Sequence, residues 1–192
     1  MDTELITAAE YLEAEERARR SSDDHSALQR IQKELDGLPD ARERLALEFL
    51  ALGLRALEVG TDPWSLIILA TYFARTIREP NRAELLRRLR VIIFRLFELM
   101  AYSTDDFRLE PQFGSSLTLS LIGLRRIDEG EYHHVFATLK SRCGPPERDP
   151  RVGIIAESDE LPARMDARIR RLARQVNSVW KLAPGFENWI SN

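Results

Sequence analysis

The apolar residues of the chain recur at steps of three and four, which is the spacing of one face of an α-helix. This spacing holds over three long stretches and predicts an amphipathic helix in each. A fourth stretch, WSLIILATYFA at 64–74, is apolar on every side, so we expect its helix to be the most buried one. The pattern predicts an all-α fold of about seven helices packed as antiparallel hairpins. The three amphipathic sets are Leu45, Phe49, Leu52, Ala56 and Val59; Leu85, Leu89, Ile92, Leu96 and Met100; and Met165, Ile169, Leu172, Val176 and Val179.

The stretch 115–128 fits two patterns. Its segment LTLSLI alternates apolar and polar residues as a strand does, but the leucines at 117, 121 and 124 also form a helical stripe. A repeated phrase decides between the two readings. GLRALEVG at 53–60 and GLRRIDEG at 123–130 share both glycines, the Leu-Arg pair, a Leu or Ile and an acid. The first copy lies in a strongly periodic stretch, so we predict that 117–128 is helical as well.

The glycines of the phrase predict a helical hairpin in each copy. Gly53 and Gly123 stand inside helices, where glycine costs about 0.5–1 kcal/mol relative to alanine. A close helix crossing that leaves no room for a side chain would offset this cost. Gly60 and Gly130 stand where a helix is expected to end, and glycine there adopts the left-handed conformation of a C-terminal cap.

The second copy resembles a tetratricopeptide repeat over residues 116–146. The first copy keeps both glycines of the phrase but lacks the tyrosine that follows the second one. The resemblance implies a short right-handed array of helical hairpins. It also implies a concave surface that binds a protein or peptide, and no catalysis. The positions that carry it are Gly123, Gly130, Glu131, Tyr132, Leu139 and Pro146.

Capping residues and breaks in the pattern divide the chain. Asp40 with Glu43, and Asn81 with Glu84, each place an N-cap residue three positions before an acid, which predicts a capping box. Residues 143–162 are rich in proline and charge and predict an irregular loop. Within it, the segment VGII either pairs as a short strand or plugs the core. One helical domain over residues 1–192 accommodates all these elements.

Composition narrows the class of protein. The 28 basic and 31 acidic residues give a net charge of −3, which disfavours a dedicated nucleic-acid-binding domain because such domains are usually basic. The single cysteine, Cys143, allows no internal disulfide and fits a reducing compartment. No apolar run reaches the ~20 residues that cross a bilayer. We therefore expect a cytoplasmic protein that does not enter the membrane, and the sequence is compatible with a homo-oligomer.

Motifs that carry chemistry are sparse. The chain has no glycine-rich phosphate loop, zinc-type cysteine pair or nucleophile elbow. His133 and His134 are neighbours on a helix and point about 100° apart, so they are a poor pair of metal ligands. Cys143 would need a histidine partner and a lowered pKa to act as a nucleophile. We expect no catalytic residue, no metal and no cofactor, and an enzyme ranks third among the function classes.

Two groups of arginines are the strongest charged features. One surrounds Arg87, and the other recurs at helical steps around Arg171. A charged surface selects an oppositely charged partner, so we expect a binding module for an acidic protein or peptide: an adaptor, a secretion chaperone or a toxin-neutralising protein. Two alternatives stay open: a nucleic-acid-binding regulator that uses a basic amphipathic helix, and internal pairing of the arginines with acids of the fold. The residues assigned to the partner surface are Arg87, Arg88, Arg164, Arg168, Arg171 and Arg174.

Overall fold

The computed structural model describes residues 2–102, 110–145, 149 and 151–159. Within these ranges all regular structure is helical, which confirms the all-α prediction, and eight α-helices are present where about seven were expected. No helix in this part of the chain is both long and apolar enough to cross a membrane. Two 3-10 turns lie at Thr3–Leu5 and Ala74–Thr76. The α-helices are α1 (Ala8–Ala18), α2 (Ser22–Asp36), α3 (Pro39–Glu58), α4 (Trp64–Phe73), α5 (Asn81–Tyr102), α6 (Glu110–Ile127), α7 (Glu129–Arg142) and α8 (Arg151–Asp159).

Helix α4 lies at the centre of the fold. It packs against α3 and α6, and α5 packs against the same two helices. Six of its ten residues are buried, among them Ile67 and Ala70, and none is exposed. Helix α6 buries a larger share, eleven of its fifteen residues at 113–127, so the prediction that α4 is the most buried helix is wrong. Phe73 at its end stacks on Phe49 of α3 with 5.8 Å between the ring centroids, and Tyr11 of α1 meets both rings edge-on. This aromatic cluster joins α1, α3 and α4.

The ambiguous stretch is helical. Helix α6 runs through Ile127, which confirms the helix predicted from residue 117 and rules out a strand there. The predicted turn at Gly130 is wrong, because Gly130 lies inside the first turn of α7. The single residue Asp128 joins the two helices, and its carboxylate accepts a 2.9 Å hydrogen bond from the Glu131 N–H at the start of α7. An aspartate cap thus replaces the expected glycine.

Gly60 ends α3 as predicted. Its φ is +72°, in the left-handed region that favours glycine. The Gly60 N–H donates to the Leu57 carbonyl at 3.2 Å and the Thr61 N–H donates to the Ala56 carbonyl at 2.8 Å. These two bonds form a Schellman motif, which satisfies carbonyls that the end of the helix leaves open. The chain then enters α4, so α3 and α4 form a helical hairpin.

The capping box predicted for α3 is wrong. The helix begins at Pro39, whose fixed φ suits the first turn, and its N-cap residue, Leu38, supplies no side-chain cap. Glu43 turns away from the backbone of α3. It accepts hydrogen bonds from the Arg78 N–H at 3.0 Å, from Arg78 Nε at 2.8 Å and from Asn81 Nδ2 at 2.7 Å. Three donors stabilise a buried carboxylate more than one cap would, so tertiary contacts override the local signal.

The loop predicted over 143–162 is wrong for the nine residues of α8, and positions 146–148, 150 and 160–162 lie outside the described residues. Ile155 of α8 is 2% exposed, and Ile154 packs against the same core. The core-plug interpretation of this segment is therefore the correct one, and it takes the form of a short helix that packs against α6.

A buried ion pair between Asp149 and Arg151 lies at the beginning of α8. The Asp149 side chain is 7% exposed and receives two guanidinium hydrogen bonds from Arg151, at 2.7 and 2.6 Å. The same guanidinium lies 4.1 Å from the ring centroid of Phe97 on α5, a cation–π contact. The hydrogen bonds from Arg151 lower the pKa of Asp149 to about 2, so this carboxylate is ionised at neutral pH.

The two helix glycines differ in how closely they are packed. A Cβ on Gly123 would collide with Thr71 Cγ2 and lie 3.3 Å from Thr71 Cβ. Thr71 is held in place because its hydroxyl donates to the carbonyls of Ile67 and Ile68, each at 3.0 Å. Helices α4 and α6 therefore cross at a distance that only glycine permits, as predicted. The close crossing predicted at Gly53 is wrong, because a Cβ there would meet its nearest neighbour at 3.5 Å, an ordinary contact that leaves room for a methyl group.

We predict that Gly123→Ala lowers the free energy of unfolding by about 1–3 kcal/mol, because the new methyl group overpacks the crossing. Gly53→Ala is the matched control, and it should leave stability unchanged or raise it by up to about 1 kcal/mol through helix propensity. Urea unfolding measures both. In a Thr71→Ala background the Gly123→Ala penalty should shrink, and equal effects of the two glycine changes would contradict this packing.

Candidate functional site

The predicted partner residues of the first arginine group lie on α5 and bind acids and carbonyls of the fold. Glu84 accepts a hydrogen bond from Arg87 Nε at 2.7 Å and another from Arg88 Nε at 2.6 Å. These bonds lower the pKa of Glu84 to about 2, so it is ionised at neutral pH. Arg88 also donates to the Leu47 carbonyl of α3 at 2.8 Å. The Glu84 carboxylate therefore binds these two arginines instead of capping α5. The capping box predicted for Asn81 and Glu84 is wrong.

The rest of this group is paired in the same way. Arg90 binds Glu131 of α7 at 2.9 Å, and Arg95 lies 3.4 Å from Glu98 on its own helix. The Arg90 pair connects α5 to α7, and both pairs partly neutralise the charge on the surface of α5. The predicted partner role of Arg87 and Arg88 stays a prediction. The second group, Arg164, Arg168, Arg171 and Arg174, lies outside the described residues.

A different set of arginines lines a cleft of about 250 Å³. The cleft opens where the turn after α4, the beginning of α5 and the C-terminal end of α6 come together. We call it the arginine cleft. Its walls combine a close-packed glycine and apolar side chains with three guanidinium groups. The lining residues are Thr71, Ala74, Arg75, Ile77, Arg82, Gly123, Arg126 and Ile127.

Arg82 is the fixed member of the arginine cleft. Its guanidinium donates to the Ile127 carbonyl at 3.0 Å and to Asp128 Oδ2 at 2.8 Å. The other carboxylate oxygen of Asp128 caps α7, so one aspartate orients both Arg82 and the next helix. Arg82 thereby satisfies an open carbonyl at the end of α6 and holds a cation against the wall of the cleft.

Arg75 is the uncommitted member of the arginine cleft. Its side chain is exposed, and it forms no hydrogen bond or ion pair with any residue in the described ranges. Arg75 interacts electrostatically with Tyr72: burial raises the pKa of Tyr72, and the positive charges of Arg42 and Arg75 oppose that rise. Arg126, three residues after Gly123, brings a third guanidinium to the same space. The arrangement suits a planar anion such as a carboxylate, which guanidinium groups bind through paired N–H donors.

The other side chains considered for chemistry are separate from this cleft. His133 and His134 are both exposed on α7, and no group of three His, Cys, Asp or Glu side chains in the described part of the chain could hold a metal ion. Cys143 donates its S–H to the Leu139 carbonyl at 3.4 Å. Burial raises the pKa of Cys143, which disfavours the thiolate that a nucleophile needs.

The sequence pattern did not identify Arg75 or Arg126 as partners in one site. Arg75 only closes the apolar run of α4, and Arg126 stands inside the repeated phrase. Arg75 follows Thr71, and Arg126 follows Gly123, by about one helical turn. This spacing would have placed both arginines beside the α4–α6 crossing. Reading it requires the knowledge that these two helices touch, which periodicity within one helix does not supply.

Comparison with known proteins gives no relative: no family model, no curated protein and no solved structure matches the chain. The likeness to a tetratricopeptide repeat therefore rests on residues 116–146 alone. Within that range Gly123 lies at a close helix crossing, whereas Gly130 is not a turn residue.

We predict that acetate binds the arginine cleft. In NMR spectra, the side-chain Nε–Hε signals of Arg75 and Arg126 should shift and saturate with a dissociation constant on the order of 10 mM, as expected for one small anion. Arg55 on the exposed side of α3 is the control, and its signal should follow ionic strength only. Equal shifts at Arg55 and Arg75 at every acetate concentration would show that the cleft has no affinity of its own.

Proposed function

We propose that the protein is a non-catalytic protein-interaction module, and that the arginine cleft receives a carboxylate from an acidic segment of the partner. The observation that carries this proposal is the convergence of Arg75, Arg82 and Arg126 on one cleft, with Arg75 unpaired among the described residues. Most α5 arginines already bind acids of the fold, whereas Arg75 forms no hydrogen bond or ion pair with any residue in the described ranges. In this proposal the α3–α4 and α6–α7 hairpins form a short array in a cytoplasmic protein.

The environment of the cleft supports a carboxylate ligand. Ala74, Ile77 and Ile127 form apolar walls, which reduce water around the guanidinium groups and strengthen their attraction for an anion. Arg82 is held by two hydrogen bonds before any ligand arrives, so less freedom is lost on binding. A volume of about 250 Å³ admits one acidic side chain or a chain terminus. Specificity would then come from the partner residues on either side of that anchor.

The lining residues also favour binding over catalysis. They include no carboxylate, imidazole or thiol, and the one hydroxyl, that of Thr71, is committed to two carbonyls of its own helix. A general acid or base within reach of a bound anion is what most hydrolytic and transfer reactions require. The lining residues of the cleft would attract a bound carboxylate electrostatically. None of them is a side chain that gains and loses a proton near neutral pH.

Selection from a random peptide display library tests the proposal. The wild-type protein should enrich peptides rich in Asp or Glu, and a selected peptide should bind the Arg75→Glu/Arg126→Glu variant at least about tenfold more weakly, a loss of about 1.4 kcal/mol. Arg55→Glu changes net charge on another surface and should bind within about twofold of wild type. Circular dichroism and urea unfolding establish that each variant is folded.

Two results would overturn the proposal. The library could yield peptides without acidic enrichment, or acidic peptides that bind the cleft variant as tightly as wild type. A duplex DNA probe covers the alternative function in the same experiment. Tight DNA binding that weakens steeply with salt and is insensitive to the cleft variant would favour a nucleic-acid-binding regulator instead.

A further inference from the structure

Helix α1 carries a buried glutamate whose carboxylate has no hydrogen-bond partner in the described part of the chain. Glu15 of α1 is 2% exposed. Neither of its carboxylate oxygens accepts a hydrogen bond from any residue in the described part of the chain. An isolated carboxylate is among the most unfavourable groups to bury, and a buried one is normally paired or neutral. Glu15 is therefore a feature of the fold that packing alone does not explain.

The surroundings of Glu15 are polar but poorly satisfied. One turn before it, Tyr11 is fully buried against the aromatic rings of α3 and α4, and its hydroxyl accepts a 2.6 Å hydrogen bond from Gln32 Nε2 of α2. Gln32 Oε1 and Arg42 Nε of α3 are also buried and have no hydrogen-bond partner among the described residues. Three helices therefore contribute incompletely bonded polar groups to the same interface.

The charged groups that face this interface do not neutralise Glu15. On α1, Arg19 attracts it electrostatically, but the Arg19 guanidinium lies 2.8 Å from Glu16. On α2, the facing polar group is the neutral amide of Gln32. On α3, Arg42 pairs with Asp36 and donates to the Tyr72 carbonyl at 3.2 Å. Each available cation is thus engaged by another acceptor.

Burial raises the pKa of Glu15 to about 7, with the positive charge of Arg19 opposing the rise. The unfolded chain has an ordinary glutamate pKa of about 4.3. A group whose pKa is higher in the folded state contributes stability that is complete below about pH 4, and this stability is lost as the pH rises through 7. The stability that neutral Glu15 contributes therefore changes with pH up to and through neutral pH.

We propose that Glu15 is a proton-dependent latch that holds α1 and α2 firmly against α3 when neutral and loosens this packing when ionised. The carboxylate ion would draw water into the interface, because no residue in the described part of the chain donates a hydrogen bond to it. Among the described residues, the other polar attachments of the hairpin to α3 include Glu48 to the Ala8 N–H at 2.7 Å and Arg42 to Asp36, and Arg44 donates to the carbonyls of Glu4, Leu5 and Ile6 just before α1. This device is independent of the arginine cleft and stands whether or not the proposed partner function is correct.

The test compares the full-length protein with Glu15→Gln and with Glu13→Gln, a matched change at an exposed position of the same helix. Between pH 5 and 7 the folding equilibrium constant of wild type should fall about tenfold per pH unit relative to that of Glu15→Gln, and the difference should level off above about pH 7.5. Glu13→Gln should follow the wild-type profile. All three proteins share His25, His133 and His134, so the difference profile isolates Glu15.

Two further measurements make the test specific. At pH 8, amide hydrogen exchange in α1 and α2 should be faster in wild type than in Glu15→Gln, with equal rates in α5 and α6. In wild type, the carboxyl ¹³C signal of Glu15 should titrate near pH 7, a readout that holds even if the variant folds poorly. Titration below pH 5, a wild-type pH profile for Glu15→Gln, or an exchange difference that extends equally through α5 and α6 would each overturn the latch.

Discussion

The close crossing of α4 and α6 at Thr71 and Gly123 is the contact on which both the core and the candidate site depend. Helix α4 is apolar on nearly every side, so it must be enclosed by neighbours, and α6 can enclose it closely because residue 123 has no side chain. Arg75 follows Thr71 by four residues and Arg126 follows Gly123 by three, so each lies one turn beyond the crossing. The separation of the helices thus sets the separation of these two guanidinium groups.

Two buried glutamates show how differently the fold treats the same side chain. Burial by itself raises the pKa of Glu43, but the hydrogen bonds from Arg78 and Asn81 outweigh it and lower that pKa. Glu43 is therefore ionised at neutral pH and joins α3 to the beginning of α5. Glu15 is likewise 2% exposed but receives no such donors from the described residues, and burial raises its pKa to about 7. Local donors decide which buried acid acts as a structural tie and which one responds to pH.

The helical periods of the sequence were sufficient to predict the fold class and the burial of α4, and the repeated phrase was needed to predict the helical state of residues 117–127. The helical periods did not predict where each helix ends, because alternative capping arrangements there differ in free energy by only about 1 kcal/mol. Gly60 ends a helix and Gly130 does not, although both close the same phrase, because Asp128 caps α7 first. Glu43 matched a capping pattern, but its carboxylate accepts hydrogen bonds from Arg78, a residue 35 positions away. Such long-range partners are set by which helices meet, and the spacing of residues within one helix holds no information about that.

The same limit applies to reading a binding surface from a count of charges. Arg87 and Arg88 form a dense basic cluster in the sequence, yet both share Glu84, and Arg88 also holds a carbonyl of α3. Arg75 stands alone in the sequence and has no acidic partner among the described residues. A guanidinium that already binds an acid of its own fold must lose that contact before it binds a ligand, whereas an uncommitted one gains a contact outright. In the described part of the chain Arg75 is such an uncommitted guanidinium, and it lies beside two other arginines in the arginine cleft.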